Sequence, residues 1–215
     1  MKIQPVINCD SLSCVEQRIR TVKSFLPAGE TIHFDIADGT FTSNITWNAA
    51  NELRPMIDYY NGQLRIGVHL MVDKPEAIIE SWLMAGVKEA AVHLERLADR
   101  NFFKYVCGEY NAEPVIAVSP ETSARTALGY VDDFKKLLIL GVKPGLSGQE
   151  FQPVVLEKVT EIKRAAPEVI VMVDGGVNLN NIKSIADAGA DIALSGSYIF
   201  NAGDPAKAYA DLSNV

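Results

Sequence analysis

Short apolar runs rich in β-branched residues alternate eight times with amphipathic stretches along this chain, and no other feature limits its possible folds so tightly. Lys2 to Asn8, Thr31 to Ala37, Leu64 to Met71, Glu89 to Leu94, Glu113 to Ser119, Lys136 to Val142, Ile170 to Val173 and Asp191 to Ser195 read as buried strands. Between them lie helical patterns. Asp10-Ser11 is a cap ahead of Val15, Ile19, Val22 and Leu26, which share one helical face. Further helices are expected over Ala49 to Tyr60, Pro75 to Gly86, Arg100 to Tyr110, Thr122 to Tyr130, Pro153 to Ala165 and Pro205 to Leu212, and from Leu179 after an Asn178 cap. Eight strand–helix units in 215 residues, with short connections and no linker, predict an α/β chain folded as one (β/α)8 TIM barrel spanning residues 1–215. A doubly wound open sheet is the alternative. It usually carries a glycine-rich fingerprint after its first strand, where this chain has Asn8-Cys9-Asp10-Ser11.

Composition narrows the partners. The chain is 48% hydrophobic and 22% charged with a formal net charge of −7, which argues against a general nucleic-acid or anionic-membrane binder. A small anion held by backbone amides is still compatible, because that field is local. The three cysteines, Cys9, Cys14 and Cys107, lack metal-type spacing and read as reduced thiols of a cytosolic protein. The opening Met1-Lys2-Ile3-Gln4-Pro5 has no secretory apolar segment, and no stretch is long enough to span a bilayer. A cytoplasmic protein is the expectation.

Polar residues gather where the strands end, the rim on which barrels build their sites. His33 and Asp35 flank Phe34 on the second strand, so period-two geometry turns both into the barrel. His69 lies near the end of the third strand and Asp174 closes the seventh. A carboxylate inside a barrel is costly without a partner. Asp174 taken alone also fits a loop aspartate capping the next helix, and each histidine alone fits a satisfied interior side chain. The set of two imidazoles and two carboxylates suits one divalent ion such as Zn, Mn, Co or Fe(II). His93 reads as a support or structural side chain, and Glu95 is expected to pair with a basic group. Three glycine-containing turns read as a phosphate cradle: Pro144-Gly145-Leu146-Ser147-Gly148-Gln149, Gly175-Gly176, and Gly196-Ser197 ahead of a turn at Tyr198 to Asn201.

These residues together resemble the ribulose-phosphate 3-epimerase family of the ribulose-phosphate-binding barrels, over nearly the whole chain. The likeness is carried by His33-Phe34-Asp35-Ile36-Ala37-Asp38-Gly39-Thr40-Phe41 with Asn44 and Thr46, His69-Leu70-Met71-Val72, His93-Leu94-Glu95, Lys143-Pro144-Gly145 with Ser147-Gly148-Gln149, Phe151 and Pro153, Val173-Asp174-Gly175-Gly176-Val177, and Gly196-Ser197-Tyr198-Ile199-Phe200. The resemblance implies a metal-dependent enzyme interconverting D-ribulose 5-phosphate and D-xylulose 5-phosphate. It implies one divalent metal (Zn, Fe(II), Mn or Co) on His33, Asp35, His69 and Asp174. It also implies Asp35 and Asp174 as the acid/base pair at C3, working through a metal-stabilised cis-enediolate. Substrate and phosphate contacts fall by the same likeness on Cys9, His69, Ser147, Gly148, Gly175, Gly176, Gly196 and Ser197, and the family tends to form homo-oligomers.

The chain departs from the family pattern around that set. Cys9 stands for a serine, Ala37 and Leu140 for methionines, Lys143 for an asparagine, and Ser147 and Asn48 for glycines. Two alternatives follow: a 3-epimerase of another ketose phosphate, such as a hexulose 6-phosphate, or a non-catalytic sugar-phosphate-binding protein.

Overall fold

Eight parallel strands close on themselves: β1 (Lys2–Ile7), β2 (Thr31–Ala37), β3 (Arg65–Met71), β4 (Glu89–His93), β5 (Glu113–Val118), β6 (Lys136–Leu140), β7 (Ile170–Asp174) and β8 (Ile192–Ser195). β8 returns beside β1, pairing Lys2 with Ile192 through Pro5 with Ser195. This is the (β/α)8 barrel expected from the alternation; the computed structural model describes residues 1–60, 63–145 and 148–215. The helices are α1 (Leu12–Lys23), α2 (Ala50–Tyr59), α3 (Ile79–Met84, after a 3₁₀ turn at Pro75–Ala77), α4 (Arg100–Glu109), α5 (Ala124–Leu128), α6 (Val155–Ala165), α7 (Ile182–Asp187), α8 (Ser197–Phe200) and α9 (Pro205–Ser213). None of the described helices is long and apolar enough to cross a membrane.

Strand alternation makes two cores. Outward residues such as Ile32, Phe34, Ile66 and Val68 pack against the helix row Val15, Ile19 and Val22 in one continuous cluster. Inward residues including Val6, Ala91, Val115, Leu138 and Met172 fill the barrel. Each large aliphatic side chain so buried contributes roughly 1.5–3 kcal/mol. The barrel interior also holds charge. Glu89 is 1% exposed and accepts from Lys136 Nζ at 2.6 Å, and Lys136 pairs with Glu113 as well. Burial works against the Lys136 ammonium, but Glu89 and Glu113 outweigh it and raise its pKa.

Four local expectations are corrected. The Pro75 to Gly86 helix is split, its first turn being 3₁₀. The turn at Tyr198 to Asn201 is the short helix α8. The helix expected from Leu179 begins at Ile182, because Asn178 makes a turn instead of a cap. Its Nδ2 donates to Gly176 O, its Oδ1 accepts from the Asn180 amide, and its own amide donates to Asn181 Oδ1. The three cysteines are not all thiols. The chain doubles back from β1 into α1, bringing the Cα atoms of Cys9 and Cys14 to 5.8 Å, and their sulfurs are bonded; Cys107 is free and buried.

Two measurements check these features. Thiol titration of denatured, unreduced protein should find one reactive thiol per chain, rising to three after reduction; three at the outset would show the Cys9–Cys14 bond to be absent. Lys136→Met should cost about 3–5 kcal/mol in denaturant unfolding, because it strands the buried Glu89 carboxylate.

Candidate active site

Asp35, His69 and Asp174 converge at the strand ends. Each offers one ligand-type atom, and these atoms lie within 4.8 Å of one another. His69 Nδ1 is 3.4 Å from Asp35 Oδ1 and 3.9 Å from Asp174 Oδ2. Asp35 and His69 are neighbours in register between β2 and β3. Asp174 arrives from β7, paired with Leu140 and Leu194 on its two flanking strands. It makes no helix cap. Burial first, then the Asp35 carboxylate, push Asp174 up to about 7. Asp35 Oδ1 and His69 Nδ1 are buried without a hydrogen-bond partner. Two carboxylates and an imidazole with orphaned, mutually facing atoms fit a divalent cation of the Zn, Fe(II), Mn or Co type.

A chain of hydrogen bonds behind His69 sets which nitrogen faces that cluster. Glu95 Oε1 accepts from the Ser119 amide and from Thr122 Oγ1, and Glu95 Oε2 lies 3.1 Å from His93 Nδ1. Burial alone would raise Glu95, but donation by His93, Thr122 and Ser119 holds it to about 2, so it is ionised and accepts. Burial, against the pull of Glu95, lowers His93 to about 4, so it is neutral with Nδ1 protonated. Its Nε2 therefore accepts, across 2.9 Å, from His69 Nε2–H. His69 Nδ1, on the opposite side of the ring, is left aimed at the two carboxylates. On the other flank Asn8 Nδ2 donates to Asp35 Oδ2 at 3.0 Å, fixing that carboxylate's rotation.

The sequence-predicted residues divide as follows. Asp35, His69, Asp174, Gly148, Gly175, Gly176, Gly196 and Ser197 line one cavity, with Met71 and Leu140 among its apolar walls. Gly176 has φ +71° and could carry no side chain, since a Cβ would stand 2.8 Å from Phe151 N. Ser147 lies outside the described residues. His33 is not in the three-residue cluster. Its ring turns to Glu89, with Nε2 3.6 Å from Oε1, into space that Gly67 leaves open: a Cβ at Gly67 would sit 2.4 Å from His33 Cδ2. Burial, opposed by Glu89, lowers His33 to about 4. Cys9 is absent from the cavity wall, its sulfur taken by Cys14. Glu95 pairs with His93 and two donors from the β5–α5 connection, not with a lysine or arginine. Sequence reasoning missed Asn8, Arg18 and Asn201, all on the cavity wall. Asn8, at the end of the first expected strand, carried a positional signal; Arg18, inside a helix, carried none.

An inward acidic–imidazole cluster beside a glycine-lined recess, at the strand-end rim of a (β/α)8 barrel, defines an enzyme for a small anionic substrate. Residues 3–200 match the model of the ribulose-phosphate 3 epimerase family, and the chain belongs to that family of isomerases. A ribulose-phosphate 3-epimerase of Bacillus subtilis (strain 168) is 29% identical over 219 residues, covering 99% of this chain and 98% of its own. One of Aquifex aeolicus (strain VF5) is 31% identical over 210 residues, covering 94% and 90%. Among solved structures, a 3-hexulose-6-phosphate synthase from Salmonella typhimurium superposes with TM-score 0.74 at 14% identity, covering 100% of this chain and 97% of its own, a likeness of fold alone.

Replacing Asp35 by Asn removes the negative neighbour that opposes ionisation of Asp174. In metal-free protein the Asp174 carboxyl should then titrate below about 7, read by carbon NMR of the labelled side chain. An unchanged titration would mean that burial alone raises it.

Proposed function

We propose that the chain interconverts D-ribulose 5-phosphate and D-xylulose 5-phosphate by inverting C3, with one divalent cation held by Asp35, His69 and Asp174. His33 joins the proposal as fourth ligand. Both its ring nitrogens are buried without partners, and its lowered pKa keeps it in the neutral form that ligates metal. The observation carrying the reading is that two carboxylates from separate strands, β2 and β7, share one small volume with an imidazole.

The chemistry asks for this arrangement. The C3 proton lies α to the C2 carbonyl, and inversion needs a group to take it on one face and a group to return one on the other. Asp35 and Asp174 are the pair. In the protein without its cation, burial and the Asp35 carboxylate push Asp174 up to about 7. The cation, when bound, supplies positive charge for the oxygens on which negative charge develops. Asn8 fixes the rotation of Asp35, and Glu95 acting through His93 fixes that of His69. Gly148, Gly175, Gly176, Gly196 and Ser197, with Ser147 from the sequence pattern, hold the phosphate so that C3 stays between the carboxylates. Val6, Met71, Leu140 and Leu194 supply apolar wall to the same cavity.

The test follows the C3 proton of ribulose 5-phosphate by NMR in D2O with metal-loaded protein. The expected result is loss of the C3 signal with appearance of xylulose 5-phosphate, slowed about 10²–10⁴-fold by Asp35→Asn or Asp174→Asn. No exchange with Zn, Mn, Co or Fe(II) would overturn the assignment. Faster exchange on a hexulose 6-phosphate would move the substrate while keeping the chemistry.

A further inference from the structure

Arg18 is a cation built into the cavity wall, and neither the fold nor the C3 chemistry explains it. It leaves α1 between the buried Val15 and Ile19 and is itself half-buried. Two contacts set its guanidinium. Nη1 donates to Asn8 O at 3.0 Å, and Cζ lies 4.8 Å from the centroid of the Phe200 ring. Phe200 ends α8, the short helix that starts at Ser197 in the glycine turn after β8. The guanidinium thus bridges the end of β1 and the helix behind the phosphate cradle, and lines the same cavity as Gly176, Gly196 and Ser197.

Its charge has no ion-pair partner among the described residues, and Asp10 acts on it only through space. One hydrogen bond leaves most of its five-donor fork uncommitted. Burying a cation is costly without a counter-charge, and this half-buried side chain is part of a cavity wall. The other cation on that wall, Lys143, is exposed. With a net charge of −7 the molecule as a whole repels an anion, so a local positive charge has an electrostatic task here.

We propose that Arg18 is a substrate-binding residue that donates from its free guanidinium edge to the phosphate of the substrate, adding a fixed charge to a cradle otherwise made of backbone amides and small side chains. The proposal rests on the reading of the cavity as a sugar-phosphate site, but not on which sugar. It makes the site selective for a dianionic ester, because a charge-assisted contact gains with each negative charge on the acceptor, whereas a neutral alcohol in the same place leaves the arginine unpaired. The rigid stack on Phe200 pre-orients the fork, so a lysine in its place keeps the charge and loses the directed donors.

The experiment titrates inorganic phosphate into wild-type, Arg18→Gln and Arg18→Lys proteins by calorimetry, then measures kcat and KM for ribulose 5-phosphate, with thermal unfolding as the folding control. Arg18→Gln should weaken phosphate about ten- to a hundredfold and raise KM in parallel, while kcat moves far less. Arg18→Lys should fall between, and the wild-type phosphate affinity should drop more steeply with salt than that of Arg18→Gln. Undiminished phosphate affinity in a folded Arg18→Gln protein overturns the proposal. A fall in kcat without a change in phosphate affinity also overturns it, and shows that Arg18 acts through Asn8 on Asp35. Wild-type protein that binds no phosphate overturns it too. If wild-type protein binds phosphate, Arg18→Gln loses it, and ribulose 5-phosphate is not turned over, the role of Arg18 stands and only the sugar assignment fails.

Discussion

The pairing of β1 with β8 is the contact on which the site depends. In an unrolled sheet β2 and β7 would stand five strand spacings apart, about 24 Å at roughly 4.8 Å each. Closure through the Lys2–Ile192 to Pro5–Ser195 register brings Asp35 and Asp174 to within 4.8 Å of one another and of His69. No local segment contains the site. Asp35 and His69 are register neighbours already on β2 and β3, but Asp174 joins them only when the ring is complete.

That closure confines charge in two places, and the chain treats them differently. Glu89 is held by Lys136, which Glu113 also holds, although Glu89 Oε1 faces His33 without a hydrogen-bond partner. At the rim the two carboxylates have no such cation. Asp174 answers by holding a proton up to about pH 7, and Asp35 Oδ1 and His69 Nδ1 remain without partners. A lysine within reach is what separates the scaffold carboxylate from the two at the rim. His33 stands between them: it faces Glu89 on one side, and sits one inward position before Asp35 on the same strand.

Period and punctuation made the barrel legible. Strand alternation turned His33 and Asp35 inward, and strand ends followed by glycine located Asp174 and the glycine turns on the cavity wall, because each depends on backbone geometry written locally. What the sequence left open depended on contacts that only the fold makes. The direction of the His33 ring is decided by Glu89 on β4 and by the missing Cβ of Gly67 on β3. The partner of Glu95 is decided by the β5–α5 connection, which brings the Ser119 amide and Thr122 to it. The Cys9–Cys14 bond needed the chain reversal between β1 and α1, which spacing alone does not specify. The late start of α7 came from Asn178 and Asn181 both donating to Gly176 O, a side-chain turn in place of the cap that the sequence suggested.

The departures from the family pattern sort themselves by position. Ala37 is fully buried, its amide donates to Thr46 Oγ1, and its short side chain is not part of the cavity wall. Leu140 is on the wall, where it keeps an apolar surface but gives up the flexible thioether. Cys9 removes a hydroxyl from the end of β1 and offers no thiol in exchange. What β1 presents to the cavity instead is Asn8. Its amide holds the Asp35 carboxylate, and its carbonyl anchors the guanidinium that α1 sends into the same space. One residue at the end of β1 thus sets the position of two charged groups, one negative and one positive, on the wall of a single cavity.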